Sequence, residues 1–317
     1  MIKDTLLLHN GMSKSNHLLH TFPTSYTRGT IYTKPSVTYS LYIHFSNKNL
    51  MEQGFLAMDK QGFLVNTSSE EKITAPWDAI VREIKLACLT NLAGKLRSIY
   101  VAGSVAHGTA TVGTSDLDLY AVVDTRLAEL DTAWWSALSR ELLKKFLFVP
   151  KIDLLFVPYQ DFHSPHRLSM AKFVIKTQAT CIFGEDIAAF IAPYRPGERT
   201  LFQVYLIKKH IAKAKAALEH SSSLEHTSRW CTWIMKRILR TGFELVLERE
   251  RKYPFTIAAC YTTFARYYPS KSHEMKRALE YATNPPADPL PVLAFLNRFG
   301  PWMIEQARCL SSGKTHV

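Results

Sequence analysis

Cysteine is scarce in this chain and follows no pattern. Cys88, Cys181, Cys231, Cys260 and Cys309 are an odd number, widely scattered, with no C-x-x-C pair among them. That excludes a disulfide framework or a zinc ribbon and leaves five small hydrophobes. Long apolar runs are missing as well. Nothing approaches the roughly 18 residues that a membrane helix needs, and the apolar patch in "MIKDTLLLHNG" is too short for a secretory core. These absences read as a cytoplasmic protein with no membrane partner. Acidic residues are the third shortage, with 27 Asp and Glu against 39 Lys and Arg.

The resulting net charge of +12 is unevenly placed. Residues 1–57 contribute +3, residues 58–200 balance to zero, and residues 201–317 carry +9. A positive field confined mainly to the last third implies an anionic partner there, a nucleotide, RNA or an acidic surface. A length of 317 residues suggests more than one domain.

Residues 1–57 are rich in Ser, Thr, Asn and His and read as a poorly defined extension, with "VTYSLYIHF" (37–45) as one candidate strand. Residues 58–66 read as a short hairpin or edge segment. "WDAIVREIKLACLTNLAGKL" (77–96) has helical periodicity, with Trp77, Ile80, Ile84, Leu86 and Cys88 toward one side and Gly94 as its C-cap. Strands are expected at 97–103, 116–123 and 151–159, with a helix at 129–146, and a helix followed by a turn at Gly184 within 172–187. This alternation is α/β-like. "APYRPGERT" (192–200) is the linker candidate. Helices follow near 200–220, 228–250, 255–267, 271–283 and 290–310, with Gly300-Pro301 expected to break the last one. Residues 311–317 form a tail.

Polar residues in apolar surroundings carry the chemistry. In "VAGSVAHGTATVGTSDLDLYAVV" (101–123), Asp116 and Asp118 sit at i and i+2 of an expected strand. Alternation puts them on one face, roughly 6–7 Å apart along it. Unpaired carboxylates at that spacing repel, and a divalent cation between them removes the penalty; oxygen donors with room for phosphate suit Mg²⁺. Asp153, in "KIDLLFV", is a third acid in an apolar strand, and such a cluster can hold two ions for in-line displacement at phosphorus. Upstream, Gly103 ends a strand and Ser104 is placed to N-cap a short helix, which makes an anion site. "GTATVGTS" (108–115) imitates a phosphate-binding P-loop, but Thr114 stands where that motif needs Lys, which excludes a Walker-type ATPase.

"GSVAHGTATVGTSDLDL" followed by "KIDLLFV" resembles the DNA polymerase β-type nucleotidyltransferase superfamily, whose small bacterial members include aminoglycoside nucleotidyltransferases. The resemblance covers about residues 77–190. It implies an α+β fold, with a mixed-sheet nucleotidyltransferase domain over 58–193 and an all-α helical domain over 200–310. It implies that Gly103 and Ser104 hold a triphosphate, that Asp116 and Asp118 bind Mg²⁺, and that Asp153 is either the third ligand or the general base. His107 stands where many relatives have Arg, so a phosphate contact there would depend on pH. Ser115, beside Asp116, joins this nucleotide-binding set.

In the helical region, Arg229, Trp233, Lys236 and Arg240 are spaced 4, 3, 4 and share a stripe, beside an apolar stripe of Trp230, Ile234, Ile238 and Leu245. Trp233, Lys236 and Arg240 complete the candidate nucleotide site, through base stacking and phosphate contact. Tyr253, Tyr261, Tyr267 and Tyr268 with Arg266 suit either nucleic-acid contact or packing in a bundle. Glu185 and Asp186 suit a helix N-terminus or a cationic acceptor. The reading is a metal-dependent nucleotidyltransferase that moves an NMP, from ATP or another NTP, to an acceptor hydroxyl. The acceptor is RNA, protein or an aminoglycoside-like small molecule. The competing readings are a catalytically silent nucleotide- or RNA-binding module and the toxin of a toxin–antitoxin pair.

Overall fold

A computed structural model describes residues 54–163, 169–221 and 223–312. The candidate strand at 37–45 lies outside them. Four strands form one sheet in the order β3-β2-β1-β4: β1 (Leu96–Ala102), β2 (Leu117–Val123), β3 (Ile152–Pro158) and β4 (Ala179–Gly184). β1 runs antiparallel to β2 and β4, whereas β2 and β3 run parallel. The sheet is therefore mixed, and the fold is α+β.

Alternation along the strands gives the sheet two different faces. Ile99 and Val101 of β1 and Leu117, Leu119 and Ala121 of β2 are fully buried on one face. They pack with Ile80, Ile84 and Cys88 of α1 (Trp77–Asn91) and Leu142 of α3 (Ala133–Lys145). Leu86, expected on that apolar side of α1, instead lies 58% exposed. It sits about 200° around the helix from Ile84. The opposite face carries Tyr100, Ala102 and Val122, covered by Ile175 of α4 (Ser169–Gln178) and by Ile187. Between β1 and β2 lies the single-turn α2 (Gly103–His107).

β4 was not anticipated. The stretch 172–187 reads as one helix ending at a turn, but the helix stops at Gln178 and the chain pairs with β1 as far as Gly184. Gly184 has φ +81°, and a Cβ placed there would stand 1.9 Å from the Arg97 carbonyl oxygen. Only glycine lets the strand end so close to its neighbour.

The helical half comprises α5 (Ile207–Glu219), α6 (Leu224–Glu244), the one-turn α7 (Leu247–Glu250), α8 (Ile257–Tyr267), α9 (Ser272–Thr283) and α10 (Leu290–Ser311). Ile211, Ile234, Ile238, Phe243, Phe264, Met275 and Phe299 meet in its core. Pro301 does not end α10, which continues through it. Buried Phe295, Leu296 and Phe299 before it and Met303 and Ala307 after it form one apolar stripe, and packing along that stripe outweighs the backbone bond that proline removes.

The described residues all belong to one compact unit. Phe55 and Leu56, which the sequence assigns to the N-terminal extension, belong to the fold. Phe55 bridges Pro254, and the Leu56 amide donates to the Tyr253 carbonyl at 2.9 Å. The expected hairpin is a single antiparallel bridge between Met58 and Leu64. Leu56 and Leu64 pack with Phe173, Tyr194 and Phe202, and this short segment clamps the sheet half to the helical half.

Candidate active site

Strand register brings two of the three aspartates together. Ala102 of β1 pairs with Asp118 of β2, and Asp118 pairs with Asp153 of β3, so the carboxylates of Asp118 and Asp153 are direct cross-strand neighbours. Asp116 lies one residue before β2 begins, in the loop rather than on the strand. Gly103 adjoins this row: a Cβ at its position, where φ is +70°, would stand 3.6 Å from Asp118 Oδ2. The backbone at the start of α2 thus comes close to the acid without a side chain between them.

Electrostatics marks Asp118 as the unusual member. Burial, then the charges of Asp153 and Asp116, push its carboxyl up to about 6, against the opposing pull of Lys151 and Arg240. Like charges facing each other in a partly desolvated pocket favour one proton or one cation among them. Tyr120, two residues on along the same face, has its phenol pushed up by burial and by Asp118.

Cations already stand against the other two acids. Lys151 pairs with Asp153, and Lys236 Nζ of α6 lies 3.4 Å from Asp116 Oδ2. Arg240, one turn further along α6, acts on Asp118. Arg237 faces the same region: burial, then Arg240, lower its guanidinium to about 10, while Asp153 pulls it back up. Its Nε is buried and makes no hydrogen bond among the described residues. The sequence reading missed Arg237 and Lys151. Arg237 lies one position off the expected stripe, and Lys151 could have been found as the lysine two residues before a strand acid.

Other expected site residues have different surroundings. Ser104 is the second residue of α2, not its N-cap; that position belongs to Ala102, which has no capping side chain. Ser115 Oγ accepts from the Thr111 amide at 2.9 Å and so shapes the loop that delivers Asp116. His107 has Nδ1 3.1 Å from Thr67 Oγ1 and its ring 4.8 Å from Phe255. Burial, then Lys72, lower its pKa. A ring so engaged and held below the ordinary histidine range gives no support to the phosphate contact expected of it. Trp233 packs edge-on against Trp230 at 5.2 Å and His210 at 5.0 Å, with the Arg237 guanidinium over its ring at 3.9 Å. That is the α5–α6 seam, where Trp233 is half-buried. Arg229 is exposed.

The remaining candidates are engaged in contacts within the fold. Asp186 caps a 3-10 turn at Ile187–Phe190 and accepts from the Tyr100 hydroxyl at 3.0 Å, while Glu185 pairs with Arg97 at 2.5 Å. Tyr253 packs half-buried against the helical core, Tyr267 donates to Glu250 at 3.1 Å, and Tyr268 stacks on Phe264 at 5.0 Å.

The acids offer oxygen donors only, which suits a hard divalent cation such as Mg²⁺. No ready cluster of three ligating groups is closed among the described residues. The donor chemistry fits; Lys151 and Lys236 occupy the positions from which they would have to yield. No described helix is long and apolar enough to cross a membrane.

No family model and no curated protein sequence matches the chain. Among solved structures it is similar to the spectinomycin adenyltransferase AAD(9) from Enterococcus faecialis, determined with ATP and spectinomycin. That likeness has a TM-score of 0.46 and 12% identity, over 73% of this chain and 99% of that one. It is also similar to a mutant of the toxin–antitoxin pair MntA–HpeT, with a TM-score of 0.25 and 18% identity, over 44% of this chain and 95% of that one. Likenesses of this degree carry no functional argument, which rests on the carboxylate row and the cations that face it.

Proposed function

We propose that the chain is a metal-dependent nucleotidyltransferase that moves an NMP, from ATP or another NTP, to an acceptor hydroxyl. The observation that carries this is the registered row of Ala102, Asp118 and Asp153, with the Gly103 backbone beside Asp118. A sheet that places like charges side by side needs a cationic ligand to offset them, and an acid cluster with adjacent cations suits phosphate chemistry.

In the reaction, the acceptor oxygen forms a bond to the α-phosphorus as the bond from that phosphorus to the β-phosphate bridging oxygen breaks. Pyrophosphate leaves with the electron pair, and the hydroxyl proton passes to a site carboxylate and on to water. Asp116, Asp118 and Asp153 would hold magnesium, which when bound polarises the phosphate and lowers the pKa of the attacking group. Asp153, on the edge strand, serves as the third ligand or as the base. Gly103 allows close approach of the phosphates. Lys236 and Arg240 of α6 offset triphosphate charge, and Arg237 assists from the same helix. The acceptor is RNA, protein or a small molecule; the +9 charge of residues 201–317 favours an anionic one.

The test is label transfer from each α-labelled NTP in cell extract with Mg²⁺, with RNA, protein and small-molecule fractions then separated. The paired variant Asp116→Asn with Asp118→Asn is the control. Label in one fraction that vanishes in the control supports the reading and names the acceptor class. No transfer and no Mg²⁺-dependent NTP binding would overturn it.

A further inference from the structure

A second cavity, of about 540 Å³, opens beyond the carboxylate row. Its walls come from three places: the 3-10 turn Tyr159–His163 after β3, the start of α4, and the connection leading to α5. None of Asp116, Asp118 and Asp153 lines it. It belongs to the same sheet face, because Tyr120, two residues on from Asp118, packs in one cluster with Tyr159, Phe162 and Ile187. Tyr120 thus shares a cluster with residues that line the cavity.

The lining has a consistent chemistry. Tyr159, Phe162, Phe202 and Tyr205 supply ring surface, and Lys172 and Arg199 supply positive charge. Among the described residues no carboxylate lines it. Arg199 lies 5.2 Å over the Tyr194 ring, so a cation and an aromatic face are presented together. Lys172 is partly desolvated and acted on by Asp161, which sits beside the cavity without lining it. Tyr205 is 56% exposed at the rim, unusual for a large ring with no packing role to explain it.

One wall is fixed from behind. Glu244, at the end of α6, accepts hydrogen bonds from the amides of Phe202, Gln203 and Val204 at 2.8–2.9 Å. Phe202 itself is buried. A cavity with a rigid aromatic wall and a volume in the range of small-ligand sites is pre-formed for a planar guest.

We propose that this cavity is a second ligand site, separate from the carboxylate row, and that it takes a planar aromatic ring carrying an anionic group, of the class of a nucleoside monophosphate. The ring lies among Tyr159, Phe162, Phe202 and Tyr205, and the phosphate meets Lys172 and Arg199. A polycation is repelled by the same lining. The site does not depend on the transfer chemistry, and its occupancy requires no divalent ion.

Equilibrium dialysis of the full chain against AMP in EDTA tests this. Saturable binding of one AMP is expected, with adenosine at least about tenfold weaker, since it lacks the charge, and no binding of spermidine. Arg199→Gln is expected to weaken AMP about tenfold. Tyr205→Ala, at an exposed position that a folded variant tolerates, should weaken it severalfold. Lys236→Gln should leave it unchanged. Absence of saturable AMP binding would overturn the proposal. So would binding that Lys236→Gln weakens and Arg199→Gln and Tyr205→Ala do not, because the nucleotide would then sit at the carboxylate row. Label transfer abolished by Asp118→Asn reports on the transferase reading independently of this result.

Discussion

The sheet half and the helical half hold their charges in opposite ways. In residues 58–200 the charges cancel, yet strand register sets two acids side by side and the loop before β2 adds a third. In residues 201–317 the charge is +9, and most of it is spread over exposed helix faces. Charge placed against the packing period of its own element points to chemistry, whereas charge that follows the period is compatible with simple solvation. Only where α6 turns Lys236, Arg237 and Arg240 toward the acids does the second kind of charge acquire the meaning of the first.

The sharpest break of this comparison is Asp118→Asn. It keeps the shape of the residue and removes the charge at the centre of the row. Transfer activity should fall by about 10³-fold or more, in line with the loss of a principal electrostatic element of an active site. Single-turnover label transfer measures this. Because burial and two like charges oppose ionisation of Asp118, the variant should also unfold no more easily than the parent at neutral pH. An active variant, or one grossly destabilised, would remove Asp118 from the mechanism.

Next in size is a purely structural effect in the sheet half. Gly184→Ala puts a Cβ at 1.9 Å from the Arg97 carbonyl oxygen in a backbone conformation with φ +81°. Backbone must move on one side or the other, at a cost of about 3 kcal/mol. Thermal unfolding should show a drop in Tm of several degrees, whereas the same change at Gly62, where nothing stands within 4 Å, costs only its φ of +83°.

The helical half supplies a pH effect. Burial pushes Glu244 up to about 7, although the amides of Gln203, Phe202 and Val204 pull it down. A folded-state pKa above the unfolded value of 4.5 means that folding favours the protonated acid. The associated stability is fully present below about pH 4.5 and is lost as pH rises through about 7, by at most about 3 kcal/mol. Denaturant titrations across this window should show the decline. Glu244→Gln should flatten it, because the amide does not titrate in this window. An unchanged slope would mean that Glu244 is ionised throughout.

These effects follow what could be read in the sequence. The row itself was legible because an acid inside an apolar strand contradicts its surroundings at single residues: Asp118 in "DLDLYAVV" and Asp153 in "KIDLLFV". The order of strands and the pairing of Asp118 with Asp153 were not, since register is set by tertiary packing. β4 was hidden because "QATCIFG" continues a helical pattern without a break, and the end of the strand depends on Gly184 meeting Arg97. Glu244 gave no signal at all, because its partners are backbone amides some forty residues earlier. The basic stripe was legible as a stripe but not in its division of labour, since the 4, 3, 4 spacing includes Trp233, which packs against α5, and skips Arg237, which faces Asp153.

That division gives the finest comparison, between two cations on one helix. Lys236 lies 3.4 Å from Asp116 and Arg229 is exposed two turns earlier. Seven residues of helix separate them by about 10 Å, beyond the Debye length at physiological salt. Lys236→Gln should raise KM for the NTP about tenfold with a smaller change in kcat, as expected for lost phosphate contact. Arg229→Gln should leave both within about twofold. Equal effects from the two would mean that α6 acts through its general field rather than through contact, and the stripe would then be a steering surface. Raising ionic strength separates these cases, because a field effect fades with salt in both variants while a partly buried contact at Lys236 persists.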